Sequence, residues 1–179
     1  MKRVLVGIVL AIIVTVSLPV YAGWNAKSSS DAVEEAELTV KKFKESDSVM
    51  DRFFDKAYGY AIFPTVGKGG MGIGAAYGKG TVYEQGKIIG STTLKQLSIG
   101  FQLGGQAYSE IIFFKDRRDL ENFKSGNFEL GATASAVAVT AGASADADYS
   151  DGVAVFTLPK GGLMYEATVA GQKFTYTEE

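Results

Sequence analysis

Histidine and cysteine are absent from these 179 residues, and proline occurs only three times. Without imidazole or thiolate the chain cannot build a Ser-His or Cys-His nucleophile pair, nor a zinc site of the usual ligand types. Without cysteine it also forms no disulfide and offers no thiol for lipid attachment at an N-terminus. Carboxylate, lysine or tyrosine chemistry stays open, but no pair of acids stands out as a catalytic dyad. The expectation is a protein that is not an enzyme and uses no cofactor or metal. A basic excess is lacking too: 18 basic side chains stand against 20 acidic ones, a net charge of −2, which argues against nucleic-acid binding.

The long apolar run is confined to the N-terminus. Lys2 and Arg3 precede an apolar stretch from Val4 to Val16, followed by Pro19, Val20, Tyr21 and Ala22 before Gly23. This reads as a secretory signal over residues 1–22, cleaved after Ala22. An uncleaved anchor helix needs ~20 apolar residues, more than the run supplies, and Pro19 interrupts its extension. Cleavage leaves 157 residues with 16 basic and 20 acidic side chains, a net charge of −4. That length suits one domain that buries about 70% of its unfolded surface. The expected location is periplasmic or secreted, peripheral on a membrane at most, and contact with an anionic bilayer then requires a local basic patch or apolar insertion.

After a polar leader over residues 23–30, the domain is expected to fill residues 31–179. Asp31 with Glu34 resembles a capping box. Val33, Ala36, Val40, Phe43, Met50 and Phe54 then recur at helical spacing, with Asp47 in the seam marking a break between two helices within residues 31–57. From Tyr58 onward the texture is strand and glycine. Met71, Ile73 and Ala75 alternate with Gly70, Gly72 and Gly74, Gln85–Gly86 reads as a tight hairpin turn, and Leu97, Ile99, Phe101 and Leu103 alternate with Ser98, Gly100, Gln102 and Gly104. Residues 111–114 form a buried strand, and Asp116 caps a helix carrying Leu120 and Phe123 that stops at Gly126. Alternating, alanine-rich strands are expected over residues 128–140 and 142–149, and further strands over 152–158, 163–169 and 172–177. The fold class is α+β: N-terminal helices packed on a mostly antiparallel, strongly curled and possibly barrel-like sheet.

Gly67, Gly69 and Gly72 satisfy the dinucleotide pattern, but a strand follows where that site needs a helix N-terminus. Gly78–Lys79 lacks the flanking residues of a P-loop, so no nucleotide is expected. Asp146, Asp148, Ser150 and Asp151 have the spacing of calcium ligands, yet Asp151 stands where the loop glycine belongs and Thr157 where its bidentate glutamate belongs, which favours a solvated turn. The bare-faced strands allow two readings: a tightly coiled sheet, or a groove walled by Met71, Ile73, Ile99, Phe101 and Leu103 and suited to acyl chains. In the helices Lys41, Lys42, Lys44, Arg52 and Lys56 lie beside Phe43, Phe53 and Phe54, as in a membrane-surface element. Seven acids dilute those five cations, and packing of the apolar seam on the protein's own sheet is favoured.

The order FPTVGKGGMGIG (63–74), GKGTVY, SIGFQLGGQ (98–106), IIFF, LGATASAVA and GLMYEATVAGQKF resembles the SYLF domain family across residues 31–174. The resemblance implies a lipid-binding domain, known in eukaryotes for phosphoinositide-rich membranes and actin-associated endocytic proteins, and in bacteria as exported single-domain proteins. It also implies membrane engagement through the basic N-terminal segment, here Lys41, Lys42, Lys44, Arg52 and Lys56. The leading expectation is therefore a non-enzymatic, phospholipid-binding envelope protein. Lys41, Lys42, Lys44 and Lys68 would meet phosphates, and Phe43, Phe53 and Phe54 would insert. The alternative is an envelope structural or protein-interaction module without direct lipid binding, and a carboxylate-based hydrolase ranks behind both.

Overall fold

A computed structural model describes residues 29–71, 73–99, 105–161 and 169–179. Helix α1 (Ser29–Ser46) carries Asp31 in its first turn and turns Ala36 and Phe43 inward. It stops where the seam contains Asp47, whose Oδ1 accepts the Val49 amide at 3.0 Å and caps a single 3-10 turn (Ser48–Met50) leading into α2 (Asp51–Lys56). The break expected at Asp47 is present. Ser30, placed by pattern in the leader, already belongs to α1. The expected signal over residues 1–22 lies outside the described residues, as do Phe101, Leu103 and most of the expected 163–169 strand. Among the described residues no helix is long and apolar enough to cross a membrane.

The strands are β1 (Gly59–Met71), β2 (Ile73–Glu84), β3 (Lys87–Ile99), β4 (Gly105–Phe114), β5 (Ala136–Ala138), β6 (Val153–Pro159) and β7 (Lys173–Glu178), with α3 (Arg117–Lys124) between β4 and β5. They form one sheet in the order β5-β6-β4-β1-β2-β3-β7, antiparallel except for β5 on β6. Gln85 and Gly86 have φ of 47° and 79°, the left-handed pair that closes a two-residue hairpin with the right twist. Asp116 accepts the Asp119 amide at 3.1 Å to start α3, and Gly126 at φ 78° follows its end. Residues 108–114 are all buried because β4 lies between β1 and β6 and is covered on both faces.

Two expectations are corrected. The sheet is neither closed nor strongly curled: its ladder ends on β5 and β7. One segment nevertheless reaches both edges, since Glu129 bridges to Lys173 of β7 while Ala136–Ala138 pairs with β6. Second, residues 128–140 and 142–149 do not form two strands. Only Ala136–Ala138 pairs as a strand, and turns fill residues 141–146, with Gly142 at φ 79°. Alanine, serine and glycine offer little cross-strand side-chain contact, so alternation alone does not sustain a ladder there.

Each face of the sheet has its own core. On one, Ile62, Tyr83, Ile111, Phe113, Ala154 and Phe156 meet Ala36, Phe43, Met50 and Phe53 of the N-terminal helices. Phe53 sits edge-on to Phe156 at 4.7 Å between centroids. On the reverse face, Ala61, Phe63, Leu94, Ile112, Phe114 and Phe174 meet Leu120 and Phe123 of α3.

Candidate functional site

The helices place the expected basic and aromatic residues in different situations. Phe43 and Phe53 are core residues, 0% and 4% exposed. Phe54 is half-buried, edge-on to Tyr60 and Phe113. Insertion of these rings into a bilayer is a correction to make: in this arrangement they are committed to the sheet, where burying each contributes roughly 1.5 to 3 kcal/mol. Lys44 pairs with Asp51 at 2.8 Å and lies 4.8 Å over the Phe54 ring, and Lys41 lies 3.7 Å from Glu45. Arg52 donates through Nη2 to the carbonyls of Ser144, Ala145 and Ala147 at 2.7 to 2.9 Å, so it clamps the 140–149 segment to α2. Lys42 and Lys56 remain exposed. Asp47 reinforces the clamp: its Oδ2 accepts both the amide (2.9 Å) and the hydroxyl (2.6 Å) of Ser144. Burial pushes the Asp47 carboxyl up, but the Ser144 hydroxyl and amide and the Val49 amide outweigh it and hold it at about 2.

Lys68, expected to meet phosphate at the surface, is instead buried on the reverse face, 7% exposed. The β1 irregularity between Ile62 and Thr65 sets the register that turns Val66 and Lys68 inward. There it shares a polar island with Glu110, Tyr108 and Gln172. Gln172 Nε2 donates to Glu110 Oε2 at 3.0 Å and to the Tyr108 hydroxyl at 3.3 Å. Burial pushes the Glu110 carboxyl up to about 8, opposed by the Gln172 hydrogen bond and the Lys68 charge. Burial lowers the Lys68 ammonium, and Glu110 opposes that shift. Glu110 Oε1, Gln172 Oε1 and the Thr157 hydroxyl lack hydrogen-bond partners among the described residues. Glu110 escaped notice in the sequence as a lone acid ahead of an apolar run.

Of the expected groove walls, Ile73 is open to solvent at 69%. Met71 and Ile99 end their strands, Met71 opposite Ile73 across β1–β2 and Ile99 opposite Ile73 across β2–β3. Phe101 and Leu103 lie outside the described residues. Ile73 has neighbours that were not among the expected groove walls. Ala75 pairs with Leu97 and Tyr77 with Lys95, so these side chains share the helix-bearing face with Ile73 and Lys79. Leu97 is 80% exposed and Tyr77 45%. Gly67 and Gly69 occupy the adjoining positions of β1, opposite Tyr77 and Ala75, and leave that part of the face bare. The helices cover this face only as far as Thr81 and Tyr83. Among the described residues nothing covers the resulting apolar patch beside Lys79 and Lys95. The register of the β2–β3 hairpin is the signal that joins Ile73 to Leu97.

Residues 95–179 match the family model described as Ysc84, Las17-binding protein actin regulator. The match runs from the end of β3 through β7 and includes Leu97, Glu110, the 140–149 segment and Gln172. Over 137 residues, 75% of this chain, the sequence is 28% identical to Beta cell expansion factor A of Aeromonas veronii. The aligned region is 51% of that protein, so the chain spans about half the length of this curated relative.

Proposed function

We propose that this chain, whose residues 95–179 belong to the SYLF (Ysc84) family, is a non-enzymatic phospholipid-binding protein that is exported to the cell envelope and contacts the membrane through the uncovered half of its sheet. The observation that carries this reading is the patch itself. Ile73 and Leu97 are 69% and 80% exposed on adjacent strands, with Lys79 and Lys95 on the same face. Ile73 and Leu97 form one apolar patch with the half-exposed Tyr77, the kind of surface that marks a membrane or partner contact. Their transfer into a bilayer contributes roughly 3 kcal/mol, about a hundredfold in partitioning. The two ammonium groups on the same face would favour anionic lipid, a contribution that salt screens. This assigns insertion to the sheet and leaves Phe43 and Phe53 in the core.

Co-sedimentation with liposomes of graded anionic content, at low and high salt, tests the reading. Wild type is expected to bind, with Ile73→Ser/Leu97→Ser losing about tenfold or more in affinity and Lys79→Glu/Lys95→Glu losing the dependence on anionic lipid. Absence of binding to every mixture overturns it and leaves the same patch to a protein partner in the envelope.

A further inference from the structure

Away from the patch, the 140–149 segment and α2 border an open cleft of about 410 Å³. The volume falls in the range of small-molecule sites. Phe53 and Tyr149 line it with aromatic surface, their centroids 6.0 Å apart. Arg52 and Lys56 line it from α2, and Asp146 and Asp148 from the segment. Two cations and two anions thus line one cleft, and among the described residues no ion pair within 4.0 Å joins either basic residue to either acid. Arg52 is held in place by the three carbonyls on Nη2, and one oxygen of Asp148 accepts the Tyr149 amide at 2.7 Å. Among the described residues the Tyr149 hydroxyl is buried without a hydrogen-bond partner. Burial, and then Asp148, raises its pKa.

From this arrangement we infer that the cleft is a binding site for a zwitterion whose anion is a phosphate and whose cation is an alkylammonium. A ligand of one sign would meet a like charge within the cleft. A zwitterion sets its phosphate toward Lys56 and Arg52, both established phosphate-binding side-chain types. Its ammonium faces Asp146 and Asp148, and the carbon linker packs on Tyr149, whose ring also attracts a cation; the Phe53 ring already carries the Arg52 guanidinium 4.8 Å from its centroid. Phosphoethanolamine and phosphocholine have this chemistry, either free or as the headgroup of a lipid. That a lipid presents it rests on the function proposed above. The charge pattern of the cleft does not.

The test is an NMR titration of the purified protein with glycerophosphoethanolamine, with inorganic phosphate and ethanolamine as single-charge controls. The zwitterion is expected to shift the Tyr149 and Ala147 amides and to bind about tenfold more tightly than either control. Lys56→Gln and Asp146→Asn/Asp148→Asn are each expected to weaken it by about fivefold or more without changing the melting temperature. Equal affinity for phosphate alone, shifts confined to other regions, or unaltered affinity in both variants would overturn the assignment. Phosphatidylethanolamine vesicles separate the two sources. Zwitterion binding without vesicle binding keeps the site and removes the lipid as its source. Vesicle binding that both variants retain, with no response to glycerophosphoethanolamine, removes the site and leaves the lipid reading intact.

Discussion

Along one face of the sheet, Tyr60, Ile62, Thr81, Tyr83, Ile111 and Phe113 lie beneath the N-terminal helices, whereas further along the same strands Ile73, Ala75, Tyr77 and Leu97 face solvent. Both halves follow the same two-residue alternation, and both present apolar side chains on the same side. The difference lies in what is laid over them. Strand pattern determines which face a residue joins, and a second element determines whether that face becomes core or contact surface.

The sharpest way to break this comparison is to truncate one large side chain in each half. Phe113→Ala is expected to cost about 3 to 5 kcal/mol in urea unfolding, because neighbours on α2, β6 and β1 are left around a void. Leu97→Ala should cost no more than about 0.5 kcal/mol. Similar losses at the two positions would mean that something packs over the outer half in solution.

The reverse face supplies the next largest effect, and it depends on pH. Glu110 is raised from an ordinary 4.5 to about 8, so between those values the folded protein holds a proton that the unfolded chain has released. Stability is therefore full below the lower value and falls as pH rises through about 8, with a slope approaching about 1.4 kcal/mol per pH unit. Lys68, Tyr108 and Gln172 face this carboxyl. Glu110→Gln should flatten the slope between pH 5 and 8. A slope unchanged in that variant would assign the titration to another group.

Asp47 works in the opposite sense. Its carboxyl is depressed to about 2, so the stability it contributes is present above its ordinary value of 3.8 and is lost as pH falls through about 2. Asp47→Ala leaves the buried Ser144 amide and hydroxyl without their acceptor, a loss of about 1 to 3 kcal/mol. Faster hydrogen exchange at the Ser144 amide is the accompanying sign that the clamp has opened, and unaltered exchange would show that Arg52 alone holds the segment. The smallest effect on stability belongs to Leu97→Ser, within about 0.5 kcal/mol, although it should be among the largest on membrane association. A stability loss well above that would make Leu97 a packing residue.

Much of the local architecture was legible in the chain. Asp47 announced the helix break, Gln85–Gly86 the hairpin, Asp116 and Gly126 the ends of α3, and residues 111–114 the covered strand. These features depend on side chains acting on backbone a few residues away. The alanine-rich stretch was misread because its alternation resembled a strand without the side-chain bulk that holds a ladder. The site was less legible. Lys68 looked like a surface cation until the β1 irregularity turned it inward, and the apolar patch existed in no single stretch because it combines β2 with β3.

By itself, the sequence determined the chemistry available: no imidazole, no thiol, strands that alternate apolar and bare positions, and an amphipathic pair of N-terminal helices. It determined these because composition and periodicity are local properties. Only the tertiary structure decided which aromatic residues became core, which lysine was buried beside a carboxyl, and which apolar residues were left in water. Those outcomes depend on strand register and on how far two short helices reach across a long sheet, and both arise from contacts between residues distant in the chain.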